Sequence, residues 1–300
     1  MKKMRIPLLI SVCIAILGVV FGSVFDFQLS SAIASKTNMV GISISVIGPT
    51  IGFMGLALPA GGFIALAKQK RYKTSMNVLL ILGAVLYYGV GVFFAGREYF
   101  SSHGFYGSAP YALGFVIAAV PLAGGVFLGY KVFKNTDHPY AWLVLLLFGA
   151  VTFMAMIPGT VLLKEIFHRP RFRAINDYET IVFHNWWERC KNYKDLMALY
   201  NIEKEEFQSF PSGHTTQSGT ILVFVTFMPL LNRKLEKFQM GCFIGAFAFV
   251  LLIGFARILA AAHFLSDVSF GIFLTTFCTF VANEIALRVK KFQPLEVAAE

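Results

Sequence analysis

Charge is scarce in this sequence: Asp, Glu, Lys and Arg make up 14% of its 300 residues, while 57% are apolar. A soluble domain carries about a quarter charged residues, so an ordinary water-borne fold is excluded. Cysteine is scarce too. Of the four, Cys13, Cys242 and Cys278 fall inside apolar runs and Cys190 in a long polar connection, with no C-x-x-C spacing, which indicates neither a disulfide framework nor a zinc site. Internal repeats and low-complexity tracts are absent. The net charge of +10 sits mostly in short connections between apolar runs, which argues against a nucleic-acid partner.

What the chain has instead is long hydrophobic runs. A helix needs about 20 apolar residues to cross the hydrocarbon core, and eight runs qualify: Pro7 to Phe25, Gly41 to Ala67, Met76 to Ala95, Tyr111 to Phe133, Ala141 to Leu163, Ser212 to Leu231, Met240 to Ala256 and Val268 to Leu287. The expected fold is an all-α integral membrane protein of about eight transmembrane helices. The second run contains Gly48-Pro49 and Pro59 ahead of Gly61-Gly62, and is read as one bent span.

Lysine and arginine alternate between connections, and basic residues are retained on the cytoplasmic side. Lys2, Lys3 and Arg5, then Lys68, Lys70, Arg71 and Lys73, then Lys131 and Lys134, then Arg233, Lys234 and Lys237, then Arg288, Lys290 and Lys291 mark the inside. Both termini are therefore expected in the cytoplasm. The first span, with its basic start and Ala32-Ile33-Ala34 beyond it, is similar to a signal sequence but is read as an uncleaved anchor. The long connection from Lys164 to Phe210 falls outside by parity despite its basic residues. Its aromatic residues among charges suit either a strand of chain in the headgroup layer or a small packed cap.

Three polar motifs adjoin outer ends of spans: Lys164 with Arg171, Pro211-Ser212-Gly213-His214, and Arg257 with His263 and Asp267. A lysine ending a span is often only a snorkelling anchor, and Pro-Ser-Gly is a common helix start. Arg257, between Ala256 and Ile258, is harder to dismiss, because charge at that depth is expensive and usually functional. If the seventh helix continues past Ala256, His263 and Asp267, four apart, share a helical face and the carboxylate can hold the imidazole in one tautomer.

These groups match what phosphoryl transfer requires. Its transition state spreads negative charge over three equatorial oxygens. Lys164, Arg171 and Arg257 would supply positive charge, the arginines as forked donors. Ser212 and Gly213 would add backbone N–H groups at a helix start. One neutral histidine then attacks phosphorus and one protonated histidine supplies the leaving oxygen with a proton, without a metal or other cofactor. Glu203, Glu205 and Glu206 would repel an anion there, and are expected to point away or to pair with Lys204 and its neighbours. His103, His138, His168 and His184 are expected to be surface residues.

In these motifs the sequence resembles the type 2 phosphatidic acid phosphatase superfamily, whose members share K-x6-RP, PSGH and SR-x5-H-x3-D. Lys164 to Arg171, Pro211 to His214, and Arg257 through His263 to Asp267 fit. Phe172 replaces the usual proline and Ala256 the usual serine. The resemblance implies that His263 is the nucleophile, Asp267 its orienting partner and His214 the general acid, with Lys164, Arg171, Ser212, Gly213 and Arg257 as the phosphate cradle. It further implies a six-helix phosphatase core (75–300, with the outer loop 169–210) preceded by a two-helix membrane segment (1–74). The expected function is hydrolysis of a phospholipid monoester or an isoprenoid or lipid diphosphate at the outer face of a bacterial inner membrane. Phosphatidic acid, phosphatidylglycerol phosphate, undecaprenyl diphosphate and phosphorylated lipid A all fit. The alternatives are a lipid phosphotransferase, a non-catalytic lipid transporter or binder, and, ranked lower because such relatives are soluble, vanadate-dependent haloperoxidase chemistry.

Overall fold

The computed structural model describes residues 1–69, 72–101 and 108–292. Lys70, Arg71 and His103 lie outside the described residues. Within them every regular element is helical: α1 (Arg5–Ile33), α2 (Met39–Ala67), α3 (Thr74–Ser101), α4 (Ser108–Phe133), α5 (Ala141–Met156), α6 (Leu162–Phe167), α7 (Phe172–Asp177), α8 (Tyr193–Tyr200), α9 (Gly213–Leu231), α10 (Gln239–Leu259) and α11 (Leu265–Arg288).

Seven helical segments among the described residues are long and apolar enough to cross a membrane, one fewer than the eight expected. The exception is α9. Thr215, Thr216, Gln217, Ser218, Thr220 and Thr226 lower its hydropathy, yet all six are buried. The physical reason is its position: α9 is packed among α2, α5, α10 and α11, so it faces protein rather than lipid, and its threonine hydroxyls bond to backbone carbonyls, as Thr226 does to Leu222 at 2.7 Å. Polar residues in such a helix are tolerated because they never meet hydrocarbon.

The run from Ala141 departs from one regular helix. After α5 the backbone widens into a π turn over Ile157–Val161 before α6 resumes. Pro158 has no N–H to donate and crowds the preceding turn. There the Thr160 hydroxyl bonds both the Ala155 carbonyl (3.0 Å) and the Thr216 hydroxyl of α9 (3.1 Å).

Small residues set the helix spacing, as expected where lipid supplies no hydrophobic drive between helices. The second run forms the unbroken helix α2, and it crosses α4 so closely that a Cβ on Gly129 would lie 2.1 Å from the Leu58 carbonyl oxygen. In its turn α2 lies against α3, α9 and α10, whereas α1 lies against α11 and α10. At the end carrying the N-terminus, the Arg5 fork grips Glu284 at 2.7 and 2.9 Å, which satisfies the one acidic residue deep in α11's C-terminal half.

The connection 169–210 is a packed cap. It has its own apolar cluster of Ala174, Ile181, Cys190, Leu196 and Phe207. Trp186 fastens it to the bundle, with its indole N–H on Ser23 of α1 (2.9 Å) and its ring against Phe210 and Phe270. Burial pushes the Cys190 thiol up to about 11.

Replacing Gly129 by valine should lower the stability of the bundle by about 1–3 kcal/mol through overpacking. The check is thermal unfolding in detergent, and an unchanged midpoint would contradict the close α2–α4 crossing.

Candidate active site

The cap end of the bundle gathers four chain segments: 164–173, 205–214, the end of α10 and the start of α11. Backbone hydrogen bonds knot them together. Ser209 N–H donates to the Arg169 carbonyl (3.0 Å), Arg171 N–H to Glu206 (2.8 Å), Ser212 N–H to Asp267 (3.0 Å) and Arg173 N–H to Ala261 (3.0 Å). Of the eight residues singled out by motif, Arg171, Ser212, Gly213, His214, Arg257, His263 and Asp267 are buried within this knot. Lys164, on α6 one turn before the left-handed His168, is half-buried.

His263 is not on a helix. The chain leaves α10 at Leu259, turns through Ala261 with φ 55, and re-enters helix at Leu265. His263 and Asp267 therefore do not share a helical face as expected. Instead His263 N–H and Ala262 N–H both donate to the Arg257 carbonyl (3.2 and 3.1 Å), which sets the arginine and the histidine side by side. Gly271 lets α11 approach the start of α9, where a Cβ would lie 2.7 Å from the Ser212 carbonyl oxygen.

The orienting contact on His263 comes from elsewhere as well. Its Nδ1 lies 2.7 Å from the Ser209 carbonyl oxygen and 3.9 Å from Asp267 Oδ2. A carbonyl only accepts, so Nδ1 carries the proton and Nε2 presents its lone pair. Asp267, beyond hydrogen-bond reach of the ring, acts on it by charge. Burial pushes the His263 imidazole well below its usual 6.5; the carboxylate of Asp267 opposes this, and the positive charges of Arg171 and Arg257 add to the depression. The ring is thus neutral at physiological pH.

Asp267 accepts hydrogen bonds from three donors. Arg169 Nη1 reaches Oδ1 at 2.5 Å, while Ser209 Oγ–H (2.5 Å) and the Phe264 N–H (2.8 Å) reach Oδ2. Arg169 was not among the motif residues, yet it is fully buried. Its other donors go to Ser266 Oγ (2.8 Å), the His184 carbonyl (2.8 Å) and Asp26 of α1 (2.9 Å), and its guanidinium carbon stacks 4.3 Å from the centre of the Phe264 ring. The signal for Asp26 was present: it interrupts an apolar run between Phe25 and Phe27, where a charge demands a partner.

The acidic residues before Pro211 do not behave as expected. Lys204 pairs with Glu165 (2.5 Å), not with its acidic neighbours. Glu205 instead grips Arg171, which donates Nη2 to its carboxylate and Nε to its backbone carbonyl (2.8 Å). Glu206 binds Arg173; burial would raise its carboxyl, but the Arg173 hydrogen bonds and charge, with Arg171 and Arg257, bring it below the usual range. A buried guanidinium, that of Arg171, and a half-buried one, that of Arg173, crowd this corner, and the carboxylates of Glu205 and Glu206 neutralise them. Arg171 is left with one direction to give: Nη1 is buried without a hydrogen-bond partner among the described residues, as is Ser212 Oγ. His168, expected at the surface, is buried and stacks on Tyr193 with ring centres 3.6 Å apart. His138 is buried too, its Nδ1 accepting from the Tyr140 N–H. The two departures from the family motif fit in place. Phe172 packs edge-on to Phe264, and Ala256 is wholly buried, with its carbonyl bonded by Ala260 N–H.

Residues 139–290, just over half of the chain, match the family model described as the PAP2 superfamily. Among solved structures, the first transmembrane PAP2 type phosphatidylglycerolphosphate phosphatase from Bacillus subtilis is similar at 19% identity, over 83% of this chain and 99% of that one, with a TM-score of 0.38. The family match includes every motif residue and begins after α4.

Replacing Arg169 by alanine would strand two buried carboxylates, so unfolding should become easier by about 3–5 kcal/mol. Denaturant titration tests this, and a change below about 1 kcal/mol would mean that the carboxylates are not held as described.

Proposed function

Because the chain belongs to the PAP2 superfamily, we propose that it is an integral membrane phosphatase that hydrolyses a lipid phosphate monoester or an isoprenoid or lipid diphosphate through a phosphohistidine on His263. The observation that carries this reading is the pairing of a neutral, carbonyl-tethered imidazole with buried donors left over for an anion on Arg171 and Ser212. Buried polar groups without partners are costly, and a phosphate would satisfy them.

In this mechanism Arg171, Arg257 and Lys164 surround the phosphoryl oxygens, aided by N–H groups where α9 begins at Gly213. The Nε2 lone pair of His263 forms the N–P bond as the bond from phosphorus to the lipid oxygen breaks, and His214 as imidazolium gives that oxygen a proton. Water then gives a proton back to His214 and attacks phosphorus, and the N–P electron pair returns to Nε2. Asp267 stabilises the ring while it bears the phosphoryl group. All positive charge comes from side chains, so activity is expected to survive chelators.

A lipid substrate is favoured by the site's place at the end of an apolar bundle, where a headgroup meets water. The alternation of basic connections supports cytoplasmic termini and a site on the opposite, periplasmic or exterior, side of a bacterial inner membrane.

His263→Ala should abolish phosphate release from a panel of lipid phosphates in detergent with chelator present, and near wild-type turnover would refute the assignment. His214→Ala should slow esters with poor leaving groups most; equal loss for every leaving group would count against an acid role. Because burial holds the folded imidazole of His263 well below its usual 6.5, its neutral, attacking form persists as pH falls through 6.5 and is lost only at lower pH, where the ring takes up a proton. An acid limb centred above pH 7 on a substrate whose phosphate does not titrate there would contradict a neutral His263.

A further inference from the structure

Helix α1 lies outside the family match, yet it reaches into the site. Gly18, Gly22 and Asp26 are spaced by four and share one face of the helix. That face meets the start of α11 at close range: a Cβ on Gly22 would lie 2.5 Å from Ser266 N, and one on Gly18 would lie 2.3 Å from Ser269 Oγ. Absence of these side chains lets Asp26 come within hydrogen-bond range of α11's first turn. Its Oδ1 accepts the Ser266 N–H (2.9 Å), and its Oδ2 accepts the Ser266 hydroxyl and Arg169 Nη2 (2.9 Å). The carboxylate is 1% exposed and the guanidinium 0%. An isolated buried carboxylate would be prohibitively costly, so this ion is held where it can act on others.

The others are the groups behind the nucleophile. Arg169 ties Asp26 to Asp267, Asp267 accepts the Ser209 hydroxyl, and the Ser209 carbonyl fixes Nδ1 of His263. Two carboxylates around one guanidinium leave a net negative charge beside the imidazole, which opposes the positive charges of Arg171 and Arg257 that also act on it. Neither Arg169 nor Ser266 can shift without breaking a bond to α1, and Asp267 is tied to α1 through Arg169.

We propose that Asp26 is a positioning residue for the phosphoryl-transfer step, and that α1 is thereby a component of the active site. Through Arg169 and Ser266 it holds Asp267, and through Asp267 the Ser209–His263 pair, in the geometry that attacks phosphorus. This rests on the phosphatase reading above and deepens it.

The test is a double-mutant cycle on lipid phosphate release, with folding followed by thermal unfolding and His263→Ala as reference. Asp26→Asn keeps shape and removes charge, and should lower kcat about tenfold or more in the wild-type background, as outer partners of reactive groups do, with KM changed far less. In the Asp267→Asn background the same change should cost less than about twofold, because its route is already cut. Equal losses in both backgrounds would overturn the proposal, and so would full activity in Asp26→Asn. Gly22→Ala provides a second variant, since its methyl would sit 2.5 Å from Ser266 N and 2.7 Å from Asp26 Oδ1 and so part the carboxylate from the start of α11 without touching charge. It should reproduce the kcat loss. Loss of the folded bundle in both variants would also overturn the proposal, by making the contact a folding element. Turnover surviving in His263→Ala would instead remove the phosphatase mechanism itself, a result separate from any of these.

Discussion

One buried guanidinium, that of Arg169, holds the cap end together. It bridges Asp26 of α1 and Asp267 of α11, bonds Ser266 between them, and anchors the cap through the His184 carbonyl. Every charge in this group is withdrawn from water, so each carboxylate depends on the arginine and the arginine on both. A single side chain thus links helix α1, the cap and α11, alongside the Trp186–Ser23 bond and the backbone bonds of the cap end. The strain-free approach of α1 is possible only because Gly18 and Gly22 present no side chain to α11.

From that anchor two sets of charges act on His263. The two carboxylates, one guanidinium and the Ser209 carbonyl stand on its Nδ1 side. Arg171 and Arg257 add positive charges that contribute to holding the imidazole neutral. A neutral nitrogen among positive side chains suits attack on a phosphate dianion, because those charges draw the anion while the ring keeps its lone pair. Glu205 completes the arrangement by taking two of Arg171's donors, which directs what remains.

Much of this was legible in the sequence, and what was not has physical causes. Apolar runs located seven of the spans, since lipid-facing helices must be apolar all along. They also located α9, although its Thr, Ser and Gln residues keep it below the hydropathy of a lipid-facing span; its polarity records contact with other helices. The motif residues Arg171, Ser212, His214, Arg257, His263 and Asp267 fall together because each motif flanks a helix end at one side of the bundle. Ser209 was invisible because its carbonyl, not its side chain, does the orienting, and backbone groups carry no sequence signal. Arg169 and Asp26 were legible only singly, as charges beside or inside apolar runs, since their partnership spans 143 residues of chain. The pairing of Glu205 with Arg171 likewise depends on the fold of the cap, which no local pattern encodes.

The proposed mechanism requires that His263 becomes covalently phosphorylated. Its most direct test is rapid acid-free quenching of the purified protein during turnover of a radiolabelled lipid phosphate, followed by mapping of the labelled peptide. An acid-labile, alkali-stable phosphoryl group is expected on His263, forming and decaying at rates compatible with turnover. Steady phosphate release with no label on the protein, or label on another residue, would contradict it.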